Sequence, residues 1–178
     1  IKLDIFLKPF SECWYSGNDV TGSPTPSTVK ISEIDLYCDF IYLDTFERTK
    51  YAKKDNIEYL IEQIQINDKN IISSNQESFN CELYFNHPIK ELIWIYKSNE
   101  MKTYNIWGKY GNNPNSSNTA PLSYVELRLN NNDRFETRKA EYFRLMQPYQ
   151  NHTSIPTTNY IYSYSFGLYP EKFQPSGT

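Results

Sequence analysis

Asn131-Asn132-Asp133-Arg134-Phe135, Tyr142-Phe143, Gln147-Pro148-Tyr149-Gln150-Asn151-His152-Thr153 and Tyr160-Ile161-Tyr162-Ser163-Tyr164-Ser165-Phe166-Gly167-Leu168 follow one another in the last quarter of the chain. They read as a turn, a short helix, a loop and a strand, before a closing loop through Pro170 and Gln174-Pro175-Ser176-Gly177-Thr178. Tyr160, Tyr162, Tyr164, Phe166 and Leu168 share one face of the strand, with Ile161, Ser163, Ser165 and Gly167 on the other. Such period-two alternation marks a strand lying on a core. Phe135 to Met146 predicts a helix ended by Pro148, which has no N–H to continue it. Asn130 to Asp133 predicts a turn, since Asn accepts left-handed backbone.

The same alternation recurs upstream. Ile1, Leu3, Ile5 and Leu7 share one face, and so do Ile34, Leu36, Cys38, Phe40 and Tyr42. Each set predicts a half-buried strand, as do Glu58 to Ile66 and Tyr124 to Leu129. Glu91 to Tyr96 is apolar on both faces, which predicts a central strand covered on both sides. Asp44 with Glu47 three residues on predicts a helix start, and a short helix is expected from about Thr45 to Lys53. Tyr15 to Ser27 and Ser98 to Pro121 are Gly-, Pro- and Asn-rich loops. Short strands, long loops and two minor helices give an all-β antiparallel sandwich or barrel, and a jelly roll accommodates long end loops well.

The chain has 178 residues, 16 Tyr and 10 Phe, and a formal net charge of -3. Mean hydropathy is -0.68. No apolar run reaches the roughly 20 residues of a membrane helix, and no basic block offers a footprint for nucleic acid. Cys13, Cys38 and Cys81 form no Cys-x-x-Cys pair and are expected to be reduced thiols. Ile1 opens inside an alternating stretch and Thr178 ends inside a loop, so an internal segment of a longer protein is expected.

Chemistry finds little purchase. Only His87 and His152 could serve as imidazole bases, and neither sits in a catalytic motif. The acidic residues are scattered, without metal-ligand spacing, and Gly108-Lys109-Tyr110-Gly111 is too short for a phosphate loop. No catalytic residue, metal or cofactor is expected. Arg48 on the charged helix is a candidate for a bidentate carboxylate contact, and Asp133-Arg134 with Arg138 for a local ion pair or an interface lock. Asn115 and Asn151 lie in Asn-x-Ser/Thr sequons and are candidate glycosylation sites, Asn115 in the long loop.

Four segments carry a resemblance. Tyr42-Leu43-Asp44, Glu47-Arg48 and Tyr51-Ala52, then Glu58 to Gln65, then Asn86-His87-Pro88-Ile89-Lys90-Glu91-Leu92-Ile93-Trp94, then Asn131 to Thr178, occur in the order found in the major capsid protein of nucleocytoplasmic large DNA viruses, which they resemble. Departures are few: Asn131-Asn132 replaces Asn-Gly before Asp-Arg-Phe, Tyr51 a Phe and Gly167 an Ala. Asn at the turn still tolerates positive φ.

The resemblance implies a double jelly-roll capsid protein that is not an enzyme. Three copies would form a pseudo-hexagonal homotrimer, and trimers would tile an icosahedral shell. Residues 1–50 would be the last strands of the first jelly roll, and 51–178 a C-terminally incomplete second one. Glu47, Arg48, Arg134, Arg138, Tyr142 and Phe143 are expected at domain and subunit contacts. Partners would be the chain itself, neighbouring capsomers and minor capsid proteins. The location would be the virion capsid, assembled in the host cytoplasm. A segment lacking its remaining strands is expected to aggregate. The alternatives are a carbohydrate-binding, lectin-like β-sandwich stacking sugars on Tyr104, Trp107 and Tyr110, and a jelly-roll glycosidase.

Overall fold

A computed structural model describes residues 2–14, 30–58, 60–99, 105–112 and 119–173. The chain divides into two compact units, one of Ile1–Ser23 with Asn67–Thr178 and one of Pro24–Ile66.

In the larger unit, β1 (Glu91–Ile95) pairs antiparallel with β6 (Ile161–Ser165), Trp94 opposite Tyr162 and Glu91 opposite Ser165. Cross-strand partners share a face, so Leu92, Trp94, Tyr162 and Tyr164 line one side of the pair. That side holds the core. Phe143 and Tyr162 are fully buried, with Trp94, Phe135, Tyr142 and Tyr164 packed around them. The Phe143 ring lies 5.4 Å from Trp94, 5.4 Å from Phe135 and 5.1 Å edge-on from Tyr142. Such offset and edge contacts suit the ring quadrupoles.

β1 is not covered on both sides. Ile93 is 65% and Ile95 48% exposed, although Ser163, opposite Ile93 on the same face, is buried.

Between these strands runs an interrupted hairpin. β2 (Tyr124–Val125) pairs with β5 (Arg138–Lys139), and β3 (Arg128–Leu129) with β4 (Asn132–Asp133). The single strand expected over Tyr124 to Leu129 is therefore split. Residues 126–127 on the outgoing arm face 134–137 on the returning arm, and the surplus bulges the ladder. The turn residues are Asn130 (φ 52°) and Asn131 (φ 63°), one position before the Asn131-Asn132 step singled out in the sequence. Consecutive positive φ values are the type I′ signature, matched to strand twist.

The helical run also begins later than expected. Residues 138–139 are strand, and Ala140 N–H extends that ladder to Ser123 O at 2.9 Å. Helix then continues from Ala140 through a π-helical turn, Tyr142–Met146, into α2 (Gln147–Asn151). Pro148 lies inside the run instead of ending it. The wide turn closes Gln147 N–H onto Tyr142 O, and Pro148 occupies the opening of the next α turn, where its missing N–H costs little.

The N-terminal segment is tied to a distant loop. Asn105, at φ 54°, donates through Nδ2 to Ser11 O (2.6 Å) and Trp14 O (3.0 Å), and Trp107 Nε1 donates to Glu12 O at 2.8 Å. These acceptors lie in and beside the 3-10 turn Phe10–Glu12.

In the smaller unit, α1 (Thr45–Ala52) forms as expected, and Asp44 caps it by accepting from Glu47 N–H at 2.8 Å. The expected strands do not form. Residues 34–43, 58 and 60–66 here, and 2–7 in the larger unit, lack strand pairing, while Ile1 and Tyr59 lie outside the described residues. Leu36 is 72%, Phe40 74% and Ile64 93% exposed. An alternating pattern makes a strand only where a neighbouring edge and a core receive it, and here neither is present among the described residues.

Two stability effects follow. Phe143→Ala is expected to cost about 3–5 kcal/mol in urea unfolding of the complete protein, the range for deleting a buried aromatic. Asn131→Ala is expected to cost about 1–2 kcal/mol through positive φ, and Asn131→Gly to be neutral or stabilising; equal midpoints for the two would contradict the turn assignment.

Candidate functional site

Three of the residues singled out in the sequence meet at one place. Arg134, Arg138 and Tyr142 line an open groove, together with Gln150, Tyr164 and the 165–168 segment. Arg134, just beyond β4, reaches back so that its Nε donates to Tyr164 Oη at 3.2 Å. Arg138, on β5, lays its guanidinium over the Tyr142 ring, 4.6 Å from the centroid. Phe143, the next residue, points the other way into the core. One turn of helix thus presents Tyr142 to the groove and Phe143 to the interior.

The groove floor is fixed by Gln147, which sequence reasoning passed over. Its buried side chain donates through Nε2 to Tyr142 Oη at 2.9 Å, while Oε1 accepts Ser165 N–H at 3.2 Å and Asn151 Nδ2–H at 3.3 Å. Ser165 N–H faces away from β1, so Gln147 covers part of the outer edge of β6. Edge coverage of this kind satisfies a backbone donor that would otherwise need a strand. The only signal in the sequence was a Gln one residue before a Pro.

Charges elsewhere sort differently from expectation. Asp133 pairs with Arg128 at 3.0 Å and not with Arg134, and Arg128 also meets Glu126 at 2.6 Å. Two carboxylates flanking Arg128 on the ladder outcompete the sequence neighbour. Arg48 makes no carboxylate pair among the described residues; its Nη2 meets Thr45 Oγ1 at 3.5 Å, in the same exposed helix as Glu47. Glu47 and Arg48 belong to the smaller unit, and Arg134, Arg138 and Tyr142 to the larger.

The sequon residue Asn151 is half-buried, with Nδ2 bonded to Gln147 O at 3.0 Å, while Asn115 lies outside the described residues. Tyr104 also lies outside them. Lys97 Nζ stands over Trp107 at 4.4 Å and over Tyr110 at 5.7 Å, so a cation already occupies those rings. Cys13, Cys38 and Cys81 are free and exposed. No helix among the described residues is long and apolar enough to cross a membrane.

His152 makes a structural contact. Its Nε2 lies 2.6 Å from Glu91 Oε1, with both side chains 16% exposed, and so ties the end of α2 to the start of β1. Next to it, Glu171 accepts from Thr153 N–H at 2.9 Å. His87, with φ 71°, is an exposed bend residue before Pro88.

Residues 47–178 match the family model of the large eukaryotic DNA virus major capsid protein. The chain belongs to this family. The chain is similar to the major capsid protein of Pyramimonas orientalis virus, 37% identical over 90% of this chain and 41% of that protein's length. It is also similar to that of Paramecium bursaria Chlorella virus 1, 34% identical over 92% of this chain and 41% of that protein's length. The chain thus spans about two fifths of these capsid proteins. The fold agrees: a quasi-atomic model of the PBCV-1 virus capsid superposes with a TM-score of 0.60 at 35% identity, over 77% of this chain and 38% of that one.

Burial holds the Glu91 carboxyl above its ordinary value of 4.5, with the His152 charge partly opposing. A carboxyl raised on folding binds more protons folded than unfolded. Its contribution is therefore complete below about pH 4.5 and is lost as pH rises through the folded value. Glu91→Gln should flatten this loss, with a Tm that falls less than wild type from about pH 4 to pH 8; an unchanged slope would show that Glu91 is not its source.

Proposed function

We propose that this chain forms part of the wall of an icosahedral virion. It is read as a segment of a major capsid protein whose two jelly rolls trimerise into pseudo-hexagonal capsomers. Residues 1–50 would supply the last strands of the first jelly roll and residues 51–178 most of the second. The partners are other copies, then neighbouring capsomers and minor capsid proteins, with assembly in the host cytoplasm. The role is mechanical, not catalytic.

The observation carrying this reading is the joint match in sequence and fold to capsid proteins along most of the chain. The surface supports it. Ile34, Leu36, Tyr37, Phe40, Ile41 and Tyr42 are all exposed, and so are Ile93 and Ile95 on one side of β1. Contiguous apolar faces of that kind call for protein neighbours. Jelly-roll partner strands would cover them.

The test is the oligomeric state of the complete protein by sedimentation and electron microscopy. Trimers and shell-like arrays are expected, and a persistent monomer would overturn the reading. The 178-residue segment produced alone is expected to aggregate; a cooperative melt from soluble monomer would contradict that.

A further inference from the structure

The arginine groove and the exposed segment from Glu33 to Asp39 have matching chemistry. In the groove, Arg138 is braced on Tyr142 and Arg134 on Tyr164, yet neither guanidinium has an ion-pair partner among the described residues. The nearest candidate in sequence, Asp133, is held by Arg128. Tyr142 Oη and Tyr164 Oη each accept a hydrogen bond, so each keeps its own O–H to donate. The groove is therefore rich in fixed donors, and guanidinium forks fit carboxylates bidentately. Bracing on the rings means little side-chain freedom is left to lose on binding.

The other unit offers the complement. From Ile31 to Glu47 there are five carboxylates and no Lys or Arg: Glu33, Asp35, Asp39, Asp44 and Glu47. Asp44 is committed to its helix cap, but Glu33, Asp35 and Asp39 are exposed and without ion pairs among the described residues. In an extended chain they share a face with Tyr37, which is 90% exposed. Asp35 and Asp39 would stand about 13 Å apart in such a chain, and Arg134 and Arg138 are likewise four residues apart in sequence.

We propose that the Arg134–Arg138 groove binds the acidic face Glu33-Asp35-Tyr37-Asp39 of a second copy of this chain. The inference rests on the self-association argued above and names the chemistry of one contact within it. Two arginine–carboxylate pairs set the register, and Tyr37 adds an aromatic contact beside Tyr142 or Tyr164. Such contacts steer and orient copies, and they weaken with salt.

The test uses the complete protein in sedimentation velocity. Arg134→Glu with Arg138→Glu, and separately Asp35→Arg with Asp39→Arg, are each expected to weaken self-association about tenfold or more. Mixing the two variants should partly restore association, since a mixed trimer has two complementary contacts of three; unfolded chains could not do this. Arg134→Gln with Arg138→Gln repeats the test without reversing charge. Wild-type assembly that both arginine variants reproduce would overturn this contact and leave the capsid reading standing. Weakened variants that mixing does not restore would overturn the second-copy assignment. A wild type that stays monomeric would overturn both.

Discussion

The burial of Phe143 is the constraint on which the larger unit depends. A two-stranded ladder such as β1–β6 is marginal by itself in water. It is held because the helical run lays one ring into the space between Trp94, Phe135 and Tyr142. Those rings come from the first strand, the returning hairpin arm and the helix itself. One side chain thus fixes three pieces of backbone that are remote in sequence.

The same helical turn explains why a core and a polar groove lie back to back. Tyr142 and Phe143 are neighbours, so the wide π turn sends one ring outward and the next inward. Gln147 then links the two environments by bonding Tyr142 on one side and the edge of β6 on the other. A buried amide whose nitrogen donates and whose oxygen accepts is held in place, because leaving either unpaired would cost about 1–3 kcal/mol. The groove inherits that rigidity, and a rigid array of donors is what a contact between copies requires.

The smaller unit shows the opposite balance. Its helix is secured locally by Asp44, whereas its apolar residues lie exposed. On the capsid reading proposed above, those apolar faces would be covered by neighbouring strands and copies. Carboxylates and arginines on complementary faces would then orient the encounter before apolar contact closes it.

Local interactions were legible in the sequence. The α1 cap, the strands at Glu91–Ile95 and Ile161–Ser165, and an Asn turn before Asp133 all follow from nearest neighbours and period. So did the family, because ordered motifs survive where single residues do not decide. The tertiary structure decided the rest. Alternation at 34–43 and 60–66 states which face seeks a core but not whether a core is there, and among the described residues it is not. The helix shifted toward its C-terminus because residues 138–139 found a ladder partner in 124–125, and it passed through Pro148 because a π turn had already widened the backbone. Asp133 left Arg134 for Arg128 because a hairpin brought the latter opposite. Arg134, Arg138 and Tyr142 were named from sequence, but only folding could join them to Gln147 and Tyr164, since that groove is made by contacts between segments up to 30 residues apart.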